Sequence, residues 1–162
     1  MVASQALSSM SGSEKGLSWL SAGAVCLNFN LRRTSRAVTQ YYDEALKPTG
    51  VKVTQFTILM AIASREDHSI TDIARLAMVD RTTLTRSLKI LEDDKLIEIR
   101  KAEPGNKRRV SITAKGVKKM KEIYPYWFRA QRALAKALTP VKTRELRHLL
   151  NDAKLSAEAL HG

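Results

Sequence analysis

The sequence predicts a mainly α-helical protein with a small β-hairpin wing, arranged as a winged helix-turn-helix. Three observations predict it. Apolar residues recur at helical spacing through most of residues 23–160. One stretch, residues 97–113, instead alternates apolar and polar side chains around a Pro-Gly turn. The cations gather at that stretch: residues 81–121 hold thirteen basic and five acidic side chains, an excess of eight within a formal net charge of +12.

Composition limits the alternatives. A chain of 162 residues with 44% hydrophobic side chains can bury a core without staples. The single cysteine, Cys26, excludes an internal disulfide framework. His68, His148 and His161 lack metal-ligand spacing, so neither a metal nor a cofactor is expected. No apolar run reaches the roughly 20 residues that a bilayer requires. Residues 1–16 lack a basic stretch before an apolar core and do not read as a secretory signal. The expectation is a soluble protein of a reducing cytoplasm, without membrane contact, whose charge attracts polyanions.

Residues 1–16 are rich in Ser and Gly, and a flexible tail is expected over residues 1–22 before a domain over residues 23–162. A first helix is predicted over 23–46, with Leu27, Leu31, Val38, Tyr42 and Ala45 near one stripe, ended by Lys47-Pro48-Thr49-Gly50. Thr54 is the expected N-cap of a second helix carrying Phe56, Leu59, Met60 and Ala63, and His68-Ser69 reads as a turn. Ser69 and Asp72 form a capping-box pattern for a short third helix over 70–77. Asp80 is the expected N-cap of a fourth helix over 81–93. Residues 97–100 and 109–113 read as hairpin strands around Glu103-Pro104-Gly105-Asn106. Thr113 then caps a long helix to Leu138, in which Pro125 should produce a kink. Tyr124 and Trp127 beside it read as core between subunits. Thr139-Pro140 opens a last helix with Leu146, Leu149, Leu150, Ala153, Ala157 and Leu160 on its apolar side.

A short helix, a tight turn, a second helix and a basic hairpin match a head that puts its second helix into a DNA major groove. On a helical wheel Leu84, Leu88 and Leu91 fall within about 60° of one another and point to the core. Thr82, Arg86 and Lys89 take the opposite side, with Thr83 and Thr85 flanking and Arg81 at the start. Hydroxyls suit base edges, phosphates and thymine methyls, and an arginine fork suits guanine. Arg86 reads a base or, in the plainer alternative, meets phosphate; Lys89 reads as a phosphate contact. Asp93 and Asp94 at the far end would repel DNA, so the groove end is N-terminal. In the hairpin, Lys101, Asn106, Lys107, Arg108 and Arg109 are candidates for the backbone or minor groove, Arg108 first among them.

These residues resemble the MarR family of bacterial transcription regulators over most of residues 24–160. The resemblance rests on residues 80–97 (Asp-Arg-Thr-Thr-Leu-Thr-Arg-Ser-Leu-Lys-Ile-Leu-Glu-Asp-Asp-Lys-Leu-Ile), on Ser111-Ile-Thr-Ala-Lys-Gly116, and on residues 28–42. It implies a homodimer with a winged-helix lobe over about 51–114 and a helical dimerisation domain over about 23–47 and 114–161. It also implies a palindromic double-stranded operator, usually repressed, with release by a small phenolic compound or an oxidant. Two departures stand out. Asn106-Lys107-Arg108 replaces the family's Asp-x-Arg in a shorter wing. Asn28 takes the position of the reactive cysteine in peroxide-sensing relatives, with Cys26 two residues earlier and Val53 where a supporting tyrosine stands.

Cys26 is therefore either a redox switch or a small apolar filler. A pocket for an aromatic anion is expected where the dimer helices meet the lobe, with Phe29, Arg33, Tyr42, Phe56 and Met60 as its lining. An enzyme is not expected: there is no Gly-rich phosphate loop, HExxH motif or nucleophile elbow. The rival reading is a nonspecific, architectural DNA coat without an inducer. An RNA-binding winged helix is disfavoured by the lack of stacking aromatics near the wing.

Overall fold

A computed structural model describes residues 22–64, 68–102 and 107–161. The expected tail over residues 1–22 lies almost wholly outside the described residues, as do the hairpin tip and Asn106. Among the described residues the elements follow in order: α1 (Ala22–Val25), α2 (Leu27–Leu46), a 3-10 turn (Lys47–Thr49), α3 (Val53–Ala63), β1 (His68–Ser69), α4 (Ile70–Ala77), α5 (Arg81–Asp93), β2 (Ile97–Ala102), β3 (Lys107–Ile112), α6 (Ala114–Leu138) and α7 (Pro140–His161). None of these helices is long and apolar enough to cross a membrane.

Local chemistry sets most boundaries. Ser69 and Asp72 bond reciprocally at the start of α4, and Asp80 accepts the Thr83 N–H at the start of α5. Thr113 accepts the Gly116 N–H at the start of α6, which continues on both sides of Pro125. Gly50 ends the 3-10 turn in the left-handed region, φ 71°, where a side chain would be strained.

Several boundaries differ from expectation: both hairpin strands reach two residues further toward the tip, to Ala102 and from Lys107, and three other differences have identifiable causes. The first helix breaks at Cys26, whose backbone is extended. Asn30 supplies the cause: its side-chain amide donates to the carbonyls of Cys26 (2.9 Å) and Ala24 (3.2 Å) and competes with continuous helix there. The second helix starts at Val53 rather than behind a Thr54 cap. Gln55 Oε1 accepts the Lys52 N–H (2.9 Å), and Asp43 of α2 accepts the Val53 N–H (2.8 Å), a tertiary cap. His68-Ser69 is a strand and not a turn: it pairs antiparallel with Val110 and Arg109, giving a three-stranded sheet in the order β1-β3-β2.

The core gathers Phe56, Ile58, Leu59 and Ile62 of α3, Ile73 of α4, Leu84, Leu88 and Leu91 of α5, Ile97 and Val110 of the sheet, and Ile123 of α6. Each such side chain contributes roughly 1.5–3 kcal/mol by leaving water. Trp127, expected between subunits, packs on this core, with its ring centroid 6.0 Å from that of Phe56. Tyr124 remains exposed. Tyr41 and Tyr42 tie α2 to α6, donating to Ala130 O (3.1 Å) and Gln131 Oε1 (2.5 Å).

The apolar stripes at the chain's two ends are left open. Leu27 and Leu31 are exposed, and the stripe of α2 is buried only toward Tyr42 and Leu46. In the 22-residue α7 no residue is buried, and Leu146, Leu149, Leu150, Leu155 and Leu160 face solvent.

Candidate nucleic-acid interface

The apolar side of α5 is fixed by Leu84, Leu88 and Leu91, all nearly inaccessible. That leaves Arg81, Thr82, Thr85, Arg86 and Lys89 exposed on one surface, as the wheel predicted. Thr83 is different. Its hydroxyl donates to Asp80 Oδ2 (2.6 Å) and its N–H to Oδ1 (2.8 Å), so the side chain is committed to the cap. Thr85 donates its hydroxyl to Arg81 O (2.8 Å), leaving its lone pairs and methyl outward. The bonds from Thr83, side chain first and then backbone, hold the Asp80 carboxyl below its usual value. At the start of α4 the Ser69 hydroxyl does the same for Asp72.

Sequence reasoning passed over the turn between the two helices. Met78 ends α4 in the left-handed region (φ 51°, ψ 44°) and is 69% exposed beside half-exposed Leu76. No glycine marks that turn, so its signal in the sequence is weak.

In the wing, Arg100 lies opposite Arg109 and Lys101 opposite Arg108. Like charges directly across a sheet repel unless an anion intervenes. Glu98 takes one of them, accepting from Arg100 at 2.6 Å, and that ion pair lowers the Glu98 carboxyl. Arg108 is exposed and Arg109 half-buried; Lys107 begins β3.

Not every cation of the basic stretch is available to a ligand. Lys115 donates to Asp94 O (2.7 Å), latching α6 to the end of α5, and Lys119 pairs with Glu122 (2.9 Å).

The five expected pocket residues do not meet. Phe29 and Arg33 line a cleft on the first turns of α2, together with Cys26 and Arg36. Tyr42 lines a different cleft of about 340 Å³ where α2, α3, the end of α4 and Trp127 converge. Arg33 is nine residues from Tyr42 on one helix, which separates them by roughly 13 Å. Phe56 is core, and Met60 packs against it. The junction cleft is lined by Val38, Thr39, Val53, Thr54, Thr57, Ala77 and Val79 besides the two aromatics, so no charged side chain lines it. Burial, then charge repulsion from the neighbouring Tyr41 phenol, pushes the Tyr42 phenol up. Cys26 is exposed at the α1–α2 break. Among the described residues no group of His, Cys, Asp or Glu is placed to hold a metal.

Comparison with known proteins gives consistent matches. A family model described as the MarR family matches residues 49–109. The transcriptional regulator MosR of M. tuberculosis is 31% identical, with 81% of this chain and 97% of that one covered and a TM-score of 0.70. MosR in complex with DNA gives 29% identity, 81% and 98% coverage, and a TM-score of 0.68. The HTH-type transcriptional regulator SarZ of Staphylococcus haemolyticus is 32% identical over 92 residues, which cover 56% of this chain and 63% of SarZ. The matched part thus spans less than two thirds of that relative's length. A MarR variant from E. coli complexed with operator DNA shares the fold, with a TM-score of 0.74 at 20% identity, 84% of this chain and 99% of that one being covered.

Proposed function

The chain belongs to the MarR family of transcriptional regulators, and from that premise we propose that it binds a palindromic double-stranded operator as a homodimer in the bacterial cytoplasm. It represses transcription there until a small aromatic ligand or an oxidant releases it. The observation that carries this reading is the face of α5. Arg81, Thr82, Thr85, Arg86 and Lys89 stand outward together because Leu84, Leu88 and Leu91 are locked inward. Arg86 and Thr82 read base edges, Lys89 meets phosphate, and Arg108 carries the wing to the backbone or minor groove. Thr83 acts through the cap and not through DNA.

Duplication of the head follows from the open apolar faces of α2 and α7, which a second copy covers. The two α5 helices then enter major grooves about 34–36 Å apart. The aromatic ligand occupies the junction cleft against Tyr42 and Trp127. An oxidant has one thiol to act on, Cys26.

Selection from a random duplex pool, followed by competition at about 0.15 M salt, tests the reading. Enrichment of a palindrome preferred by roughly 10³-fold or more over random DNA is expected. Uniform recovery of all sequences would instead assign the same cationic face to a nonspecific coat.

A further inference from the structure

A group of four cations lies outside the head, at the far end of α6. Where α6 turns into α7, Arg132 and Lys136 from one helix and Arg144 and Arg147 from the other line a single cleft of about 910 Å³. Among the described residues no carboxylate comes within ion-pairing distance of any of the four. The remaining lining is small and mostly apolar, including Ala133, Ala135 and Pro140.

The elbow is held in shape. The Thr143 hydroxyl lies within donor reach of Thr139 O (2.8 Å) and Ala135 O (3.3 Å), which staples the start of α7 to the end of α6. Thr139 adopts φ 69° and ψ 152°, a region nearly reserved for glycine, and such strain persists only where the surroundings fix it. The Arg132 guanidinium rests 5.9 Å from the Phe128 ring centroid, which limits its wandering. Four unneutralised cations in a concave, apolar-floored site raise one another's energy and focus their field. A multivalent anion relieves that repulsion, and arginine forks grip phosphate and carboxylate oxygens in pairs.

We propose that the elbow cleft binds a small organic polyanion, its phosphate or carboxylate groups held by Arg132, Lys136, Arg144 and Arg147 and its body resting on Ala133 and Pro140. The volume suits a ligand that carries several anionic groups, larger than a single phosphate or chloride ion. The site is separate from the uncharged junction cleft and from the face of α5, and it does not depend on the DNA reading.

Thermal melting and calorimetric titration of the full chain test it, with inorganic pyrophosphate and citrate as probes and sodium chloride matching the ionic strength. The matched salt separates a site from general screening. At least one probe should raise Tm by about 5 °C or more at roughly a hundred-fold excess over its dissociation constant. Which probe does so distinguishes phosphate from carboxylate chemistry. The Arg86→Ala/Arg108→Ala protein should keep the rise, and the Arg144→Ser/Arg147→Ser protein should lose it. A wild-type Tm unmoved by both probes, or an elbow variant that responds like wild type, overturns the proposal. Should the double variant fail to fold, Lys136→Ser alone should weaken probe binding about ten-fold, and unchanged binding overturns it equally. An elbow variant that becomes monomeric yet binds the probe normally reassigns the four cations to subunit pairing.

Discussion

A Cβ placed on Gly116 would lie 2.1 Å from the carbonyl oxygen of Leu96 and 2.7 Å from Ile112 Cγ1. The first turn of α6 thus presses directly on the start of β2. The same carbonyl accepts the Thr113 N–H (3.1 Å), so cap and close approach act on one atom. Gly116→Ala is expected to destabilise the fold by about 3 kcal/mol, lowering Tm by roughly 10 °C. Gly23→Ala, which meets nothing within 4 Å, is the control. Equal melting of the two variants would remove the packing argument.

The lowered carboxyls of Asp72 and Asp80 tie stability to acidity. A group whose folded pKa is depressed stabilises fully above its unfolded value, here 3.8, and loses that contribution as pH falls toward the folded value. Asp80→Asn keeps a capping oxygen and removes the charge. Its deficit against wild type in urea should be present at pH 7 and shrink below about pH 4. A deficit constant across that range contradicts the assignment.

Arg86 and Arg108 should fail in different ways. Arg86→Ala is expected to flatten selectivity at one base position, worth roughly 1–3 kcal/mol. Arg108→Ala should weaken all sequences alike and reduce the salt slope by about one. Both are read from operator-variant titrations across a salt series. An Arg86→Ala protein that ranks every variant in the wild-type order and ratio has lost no base contact.

Subunit pairing is addressed at Leu149, exposed on α7. Leu149→Glu should shift the protein toward monomer in sedimentation and lower its operator affinity by about ten-fold or more, since two heads no longer bind together. A dimer of unchanged strength would place the interface elsewhere.

Peroxide and aromatic release are separable. Organic hydroperoxide should free wild-type protein from its operator and leave Cys26→Ser bound, whereas salicylate, as an aromatic probe, should act on both. Thr39→Leu, which fills the junction cleft, should block salicylate alone. Peroxide release of the serine protein at the wild-type dose excludes the thiol route.

Features written in neighbouring residues were legible in advance. Ser69 with Asp72, Asp80 ahead of α5, and Thr113 ahead of α6 are caps decided within three residues. Leu84, Leu88 and Leu91 declare their side by spacing alone. Features decided by partners far along the chain were not. A two-residue strand at His68-Ser69 exists because Val110 and Arg109 lie beside it. Val53 begins α3 where it does because Asp43 reaches across from α2. The scatter of the pocket residues has a local cause instead, since nine residues of one helix set Arg33 and Tyr42 on different clefts. Thr83 shares α5 with the outward residues, but its hydroxyl is taken by the Asp80 carboxylate three residues earlier.

The short strand at His68-Ser69 makes β3 an inner strand, clasped from both sides. It welds the entrance of α4 to the base of the hairpin, so neither swings alone. A displacement of the hairpin base is therefore carried into α4, and one of α4 into the hairpin, through the backbone of β3.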